Sequence, residues 1–176
     1  QILVVFDEAY FEYVEEDNYP DSFEYLSAGR SVLILRTFSK AYGLAGFRIG
    51  YGIGRQDVIQ VLNKVRPPFN TPSVAQVAAL AALEDREYVL KSVIENRREL
   101  DFLAAEFKAR SISAVASVAN FVLFDVGIPA GEAFEKLLRL GVIVRPMQFA
   151  GFPTMVRVTV GTHEENEYFL AALDQV

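Results

Sequence analysis

The chain has 176 residues, of which 52% are hydrophobic, and its formal net charge is -6 at pH 7. This acidic balance argues against a nucleic-acid partner, because such binding depends mainly on clustered Lys and Arg. The absence of cysteine excludes disulfides, thiolate catalysis and cysteine-ligated metals. We expect one ordinary domain or two small lobes. The high apolar fraction predicts a core or an interface that extends beyond this chain.

The sequence predicts neither a membrane span nor a targeting segment. The longest charge-free stretch, residues 67–83, contains three prolines and therefore does not match a spanning helix. No signal peptide precedes the first apolar run. Because the chain begins with Gln1 and enters a predicted strand almost at once, we expect it to be a piece of a longer, cytoplasmic protein.

Two short apolar runs, residues 2–6 and 32–35, predict buried parallel strands. The segment between them, residues 11–31, is long enough to form a crossover, and such connections are nearly always right-handed. Asp7 ends the first run, and Lys40 follows the second. We therefore expect both side chains at one edge of the sheet, where open α/β sheets bind ligands.

The rest of the chain predicts further helices and strands, interrupted by prolines. Prolines at 67, 68 and 72 mark the place where we divide the chain into a first domain, 1–70, and a second domain, 71–176. From residue 120 onward, alternating patterns predict an α+β lobe with an antiparallel or mixed sheet. The predicted helices cover residues 22–28, 57–65, 73–83, 86–109, 131–140 and 163–173, and the remaining predicted strands cover 49–53, 120–124, 142–145 and 156–160.

An amine and a carboxylate at one sheet edge favour pyridoxal 5′-phosphate as a cofactor. Lys40 could form an imine with the aldehyde of the cofactor, and Asp7 could keep its pyridine nitrogen protonated. Tyr10 lies close behind Asp7 and could donate a hydrogen bond to the ring oxygen. Alternatively, Lys40 is a surface lysine, Asp7 is an N-cap or loop acid, and Tyr10 is a partly buried core aromatic.

Three polar residues near Lys40 form a candidate phosphate site. Thr37 and Ser39 offer hydroxyl donors, and Arg48 offers a guanidinium that can bind phosphate with two parallel hydrogen bonds. The alternative for Arg48 is a surface salt bridge.

Further candidates lie in the second half of the chain. Arg157 falls inside an apolar strand, where a charge is costly unless it is paired. Either a substrate carboxylate or an internal ion pair could pair it. Arg145 could contact the tail of a substrate, and Asn120 could contact the substrate or cap a strand. We interpret the single histidine, His163, as structural.

These segments together resemble the fold-type I aminotransferases, most closely the histidinol-phosphate aminotransferase group, over essentially the whole chain. The resemblance implies an α/β fold. Residues 1–70 would form the C-terminal part of the large, cofactor-binding domain with a partial, mostly parallel sheet. Residues 71–176 would form a small α+β C-terminal domain with long linking helices. The matching segments are VFDEAY at 5–10, RTFSKAYGLAGFRIGY at 36–51, ANFV at 119–122 and RVTVGT at 157–162.

The resemblance also implies roles for the candidate residues. The Lys40 position carries the imine, the Asp7 position pairs with the pyridine nitrogen, and the Tyr10 position bonds the ring hydroxyl oxygen. Phosphate contacts would come from the positions of Ser39 and Arg48, with Thr37 close by. The substrate-binding residues would be Arg157 at the α-carboxylate, Arg145 near the substrate side chain, and Asn120.

The implied activity is transfer of an amino group from a small-molecule amino donor to a 2-oxo acid such as 2-oxoglutarate, in a cytoplasmic homodimer. No metal, membrane or nucleic-acid partner is expected. Upstream parts of the family's large domain would complete the site. We therefore expect the isolated chain to be inactive, to bind the cofactor weakly and to self-associate through its exposed strand edge.

Two alternatives to transamination stay open. Threonine-phosphate decarboxylases share the fold and the motifs, and they differ in releasing carbon dioxide without consuming a 2-oxo acid. The same scaffold also occurs as a non-catalytic, ligand-sensing domain of transcription regulators, which would require an upstream DNA-binding segment.

Overall fold

Two β-sheets and six α-helices make up the α/β fold of residues 2–176, which are the residues that the computed structural model describes. Gln1 lies outside the described residues. The chain divides into two units, residues 1–92 and 93–176, each with its own sheet.

The first sheet contains the two strands that the apolar runs predict. β1 (Val4–Asp7) pairs in parallel with β2 (Val32–Thr37), which confirms the parallel arrangement. β2 also pairs with β3 (Gly50–Gly54), but this pairing is antiparallel. The sheet has the order β1-β2-β3 and is mixed, rather than mostly parallel as expected.

The crossover from β1 to β2 contains the short helix α1 (Ser22–Ser27). The helix is N-capped by Asp21, whose Oδ1 atom accepts a hydrogen bond from the backbone N–H of Phe23 at 2.9 Å. Its Tyr25 ring stacks on the Phe6 ring with a centroid distance of 5.8 Å. The helix therefore covers the sheet and contributes aromatic area to its packing.

A glycine is required where β3 begins. A Cβ atom built on Gly50 would lie 2.7 Å from the backbone oxygen of Arg36, so no larger residue fits unless the strands separate. Three helices follow, and their positions agree with the predicted periodicity to within a residue or two. They are α2 (Gln56–Val65), α3 (Ser73–Glu84) and α4 (Arg86–Ala109), of which α4 begins in the first unit and ends in the second.

The second unit contains a four-stranded sheet that is antiparallel throughout. Its strand order is β4-β5-β7-β6. Two helices, α5 (Ala130–Arg139) and α6 (His163–Leu173), belong to the same unit. The strands are β4 (Ala114–Val115), β5 (Phe121–Asp125), β6 (Arg145–Pro146) and β7 (Met155–Thr159).

The predicted strand at 142–145 is wrong except for its last residue. The backbone N–H of Val142 donates to the Leu137 carbonyl at 2.9 Å and so helps to end α5 instead of joining a ladder. Val142 and Val144 are buried in the core as irregular backbone. Pairing with β7 starts only at Arg145.

The core of the second unit is built around three aromatic rings. The Phe107 and Phe124 rings stack with centroids 4.7 Å apart, and Phe169 meets both rings edge-on. Valines at 122, 156 and 158 alternate with outward-facing residues along β5 and β7 and complete this layer. In the part of the chain described, no helix is both long enough and apolar enough to cross a membrane.

Candidate functional site

The carboxyl ends of β1 and β2 form one edge of the first sheet. Asp7, the last residue of β1, pairs in register with Leu35 of β2. The backbone N–H of Glu8 donates to the Leu35 carbonyl at 2.9 Å and extends the ladder by one residue. Lys40 lies just beyond the end of β2. The chain therefore brings the predicted amine and carboxylate to the same edge, as the two apolar runs indicated.

Lys40 is held between two anchored neighbours. Phe38 and Ala41 are buried, and the Phe38 carbonyl accepts a hydrogen bond from the backbone N–H of Leu44 at 2.9 Å. The Lys40 side chain is half-buried. Its Nζ atom lies 5.2 Å from the centre of the Tyr10 ring, within the range of a cation–π contact. Lys40 and Tyr10, which were predicted to serve one cofactor, are thus neighbours.

Asp7 is exposed at this edge, and its orientation is partly fixed by its own loop. Its Oδ1 atom accepts a hydrogen bond from the backbone N–H of Ala9 at 3.2 Å. Among the described residues, no cation forms an ion pair with Asp7. The carboxylate is therefore open to a cationic ligand.

Thr37 and Ser39 form a compact hydrogen-bonded turn before Lys40. The Thr37 Oγ1 atom accepts from the backbone N–H of Ser39 at 3.1 Å and donates to the Ile49 carbonyl at 3.5 Å. Arg48 is exposed, with a left-handed backbone (φ 54°), and its Nη1 atom donates to the Ala45 carbonyl at 2.8 Å. Its other donors point to no carboxylate in the described chain. This arrangement leaves the guanidinium available for an anion.

Arg157 and Arg145 lie opposite each other in the second unit. They are register partners on β7 and β6, and paired residues of neighbouring strands share a face. The guanidinium carbon of Arg157 lies 4.6 Å from the centre of the Phe121 ring, and that of Arg145 lies 5.3 Å from the Phe149 ring. Within described residues 93–176, neither arginine forms an ion pair. Like charges placed opposite each other repel, so this face favours an anion.

Asn120 directly precedes β5. Its backbone carbonyl accepts a hydrogen bond from the backbone N–H of Val160 at 2.9 Å, next to the end of β7. Lys40, Asp7 and Tyr10 belong to the first unit, whereas Asn120 and the two arginines belong to the second.

A buried ion pair that the sequence patterns did not predict lies behind the Asp7 edge. The Arg36 Nε and Nη2 atoms lie 3.0 and 2.9 Å from the Glu8 Oε2 atom, and the Glu8 side chain is only 2% exposed. The Arg36 guanidinium carbon also lies 3.7 Å from the centre of the Phe11 ring. Nearby, burial raises the pKa of Glu12, and the Glu8 charge adds to this effect. The available signal was an arginine that directly follows four apolar residues of β2.

A second buried carboxylate, Glu99 on α4, was also missed. Its Oε2 atom accepts a hydrogen bond from the Asn166 amide at 2.9 Å and lies 3.2 Å from the His163 Nδ1 atom. Its Oε1 atom pairs with Arg98 at 3.1 Å. Burial opposes the charged form of Glu99, but the hydrogen bonds from Asn166, His163 and Arg98 outweigh burial and lower its pKa. The contact agrees with a structural role for His163.

The profile of the family "Aminotransferase class I and II" matches residues 1–173. The chain belongs to this family. Family membership explains why the motif around Lys40 and the segment around Asp7 occur in one chain.

The chain is similar in sequence to histidinol-phosphate aminotransferases of bacteria. A histidinol-phosphate aminotransferase of Caldicellulosiruptor saccharolyticus is 44% identical over 100% of this chain and 49% of its own length. Histidinol-phosphate aminotransferase 1 of Nitrosococcus oceani is 49% identical over 99% of this chain and 47% of its own length. The chain thus spans about half the length of these relatives.

Solved structures of aminotransferases match the fold of the chain. The crystal structure of histidinol-phosphate aminotransferase from Sinorhizobium meliloti, in complex with pyridoxal-5′-phosphate, superimposes with a TM-score of 0.86 at 32% identity. The match covers 98% of this chain and 48% of that protein. Aspartate aminotransferase from Thermotoga maritima matches with a TM-score of 0.84 at 23% identity, over 98% of this chain and 47% of that one.

Proposed function

We propose that the protein to which this chain belongs is a pyridoxal-phosphate-dependent aminotransferase. The observation that carries the proposal is the position of the Lys40 amine, 5.2 Å from the Tyr10 ring, beside the carboxyl end of the strand that bears Asp7. When bound, pyridoxal phosphate supplies an aldehyde for amine exchange and a ring that accepts electrons. The donor set near Lys40 fits this cofactor because it offers an amine, a carboxylate, hydroxyls and a guanidinium.

Each candidate site residue of the first unit would have a role in binding or using that cofactor. Lys40 would carry the covalent attachment through Nζ and, when released, move a proton to and from the α-carbon of the substrate. Asp7 would hold the proton on the pyridine nitrogen, and Tyr10 would donate to the ring oxygen. Thr37, Ser39 and Arg48 would hold the phosphate.

Arg145 and Arg157 support an anionic amino donor. Because they face each other across β6 and β7, a substrate carboxylate or phosphate would relieve their mutual repulsion and receive charge-assisted hydrogen bonds. Asn120 would contribute a further polar contact. The names of these relatives make histidinol phosphate the first donor to test, with 2-oxoglutarate as the acceptor.

The chain would contribute the carboxyl-terminal part of the large domain, residues 1–70, and the small domain, residues 71–176. The whole protein would act as a cytoplasmic homodimer. The remaining cofactor contacts would come from the half of the relatives' length that this chain does not span.

Replacement of Lys40 by Ala in the full-length protein tests the proposal. The wild type should consume 2-oxoglutarate with histidinol phosphate and gain the mass of the cofactor after borohydride reduction. Lys40→Ala should lose the covalent mass and at least about a hundredfold in turnover, because it removes the proton-transfer group. Lys64→Ala, which removes an exposed lysine of α2 in the same unit, is the matched control.

Two outcomes would contradict the proposal. Retention of both the covalent mass and the turnover by Lys40→Ala would remove Lys40 from the mechanism. Release of carbon dioxide from an O-phospho amino acid, without consumption of a 2-oxo acid, would assign decarboxylation instead of transamination.

A further inference from the structure

The Glu8–Arg36 ion pair lies directly behind the residues proposed to bind the cofactor. Glu8 follows Asp7, and Arg36 precedes Thr37, at the carboxyl ends of two adjacent parallel strands. Since successive residues of a strand point to opposite faces, the ion pair and the Asp7 and Thr37 side chains occupy opposite faces of the strand pair. The Glu8 side chain is 2% exposed and that of Arg36 is 15% exposed.

The pair ties together the two strand ends that carry the proposed site. Two guanidinium nitrogens bind one Glu8 oxygen at 3.0 and 2.9 Å, and the backbone bond from Glu8 to Leu35 reinforces the same junction. Arg36 also packs on the Phe11 ring at 3.7 Å, and Phe11 directly follows Tyr10 in the chain. One guanidinium therefore contacts the side chain of Glu8, inside the Asp7–Tyr10 segment, and that of Phe11, just after it.

Stability alone does not account for this ion pair. Desolvation of two charges commonly offsets their attraction, and well-packed apolar residues of similar volume often stabilise a fold as well as a buried ion pair does. In addition, the Glu8 Oε1 atom is buried without a hydrogen-bond partner within the described residues, which adds a further cost. Such a pair has its best-attested use in fixing one relative position of two segments.

We infer that Glu8 and Arg36 are positioning residues that set the separation of Asp7 and Lys40. Their ion pair would keep the carboxylate and the amine at the two reacting ends of one heterocycle. This inference rests on the proposed function. It predicts that loss of the ion pair lowers the affinity for pyridoxal phosphate even when the fold is kept.

A pair of apolar substitutions separates positioning from stability. In the full-length protein, Arg36→Met alone leaves a buried, unpaired Glu8 and should lower the melting temperature. The double variant Glu8→Met with Arg36→Met removes both charges and should recover most of that loss, since Met packs well on the Phe11 ring. The dissociation constant of the double variant for pyridoxal phosphate should nevertheless rise by about tenfold or more. The induced circular dichroism of the bound cofactor should also change.

Arg36→Lys tests the positioning role independently, even if the double variant does not fold. It keeps the charge but loses the two-nitrogen contact and the flat packing on Phe11, so binding should again weaken and the dichroism should change. Arg55→Met is the matched control, because Arg55 pairs with Asp57 at an exposed position of the same unit. It should leave the dissociation constant and the dichroism unchanged.

The outcomes distinguish this inference from the proposed function. If the wild type does not bind pyridoxal phosphate covalently, both are overturned. Suppose instead that the wild type binds the cofactor, and that those of the two variants (the double variant and Arg36→Lys) that fold have the same dissociation constant and dichroism as the wild type. Only the positioning role is then overturned. Weakened binding at a recovered melting temperature, or in folded Arg36→Lys, supports the positioning role.

Discussion

The two units of the chain bury carboxylates in opposite ways. Glu99, in the second unit, receives hydrogen bonds or ion pairs at both oxygens, and these contacts lower its pKa. In the first unit, Glu8 and Glu12 each keep one buried oxygen without a partner in the described structure, and burial raises the pKa of Glu12. Burial alone therefore does not decide the direction in which the pKa of a carboxyl group moves, because hydrogen-bond donors around the group act on it as well.

The two units also differ in how fully they bury their apolar side chains. The second unit has a contiguous core of stacked aromatic rings and buried aliphatic residues around Phe124. The first unit leaves Val4, Val5 and Leu35 of its sheet exposed. The second unit therefore packs around a core of its own, whereas the first unit holds a buried ion pair beside the proposed site.

Phe124→Ala should have the largest effect and would sharpen this comparison. The side chain is fully buried and contacts two other rings, so its removal should lower the free energy of unfolding by about 3–5 kcal/mol. Hydrogen–deuterium exchange, read peptide by peptide, should show the loss of protection in residues 93–176. Phe149→Ala, which removes a ring that is 69% exposed, is the control. Equal destabilisation by both changes would refute the assigned core.

Glu99→Gln should have a smaller effect, which depends on pH. The variant keeps the shape of the side chain but loses its charge toward Arg98 and His163, and should cost about 1–3 kcal/mol at neutral pH. Because the folded-state pKa of Glu99 is lowered, its stabilising contribution is present above the unfolded pKa and is lost as the pH falls through the folded pKa. Denaturation curves should therefore converge for the two proteins in acid.

Glu95→Gln is the matched control for that experiment, since Glu95 pairs with the same arginine but is half exposed. Its cost should be below about 1 kcal/mol. If the two variants behave alike, the Glu99 network does not stabilise the second unit, and the contrast between the units fails.

Local patterns were sufficient to predict the main elements but not the buried charges. The apolar runs of β1 and β2 and the periodicity of α3 and α4 depend on neighbouring residues, and these elements were predicted closely. The two-residue strands β4 and β6 exist only because a partner strand passes beside them, so no local pattern marks them.

The candidate site shows the same limit. The placement of Lys40 and Asp7 at one sheet edge could be predicted because each follows an apolar run, and parallel strands bring their ends together. The bonds from Arg36 to Glu8 and from Asn166 to Glu99 join residues that are 28 and 67 positions apart. Their pairing follows from tertiary packing, which a single sequence does not encode in any short segment.

Glu12→Gln should have the smallest effect of the three and the opposite sign. The Glu12 side chain lies in the short 3-10 turn that follows Tyr10, and its Oε2 atom is buried without a partner in the described chain. The substitution removes a desolvated charge next to Glu8 and introduces amide donors in its place. We expect a gain of about 1 kcal/mol at neutral pH. Glu15→Gln, an exposed neighbour, should leave stability unchanged.

The pH dependence of this gain decides whether burial in the first unit is a cost. Burial raises the folded-state pKa of Glu12 above its ordinary value of 4.5, so the folded protein binds more protons than the unfolded chain between the two pKa values. Stability must then fall as the pH rises through that interval. The advantage of Glu12→Gln should be absent near pH 4, appear as the pH rises and level off above the folded pKa. A gain that does not vary with pH would mean that packing, and not the buried charge, limits the stability of the first unit.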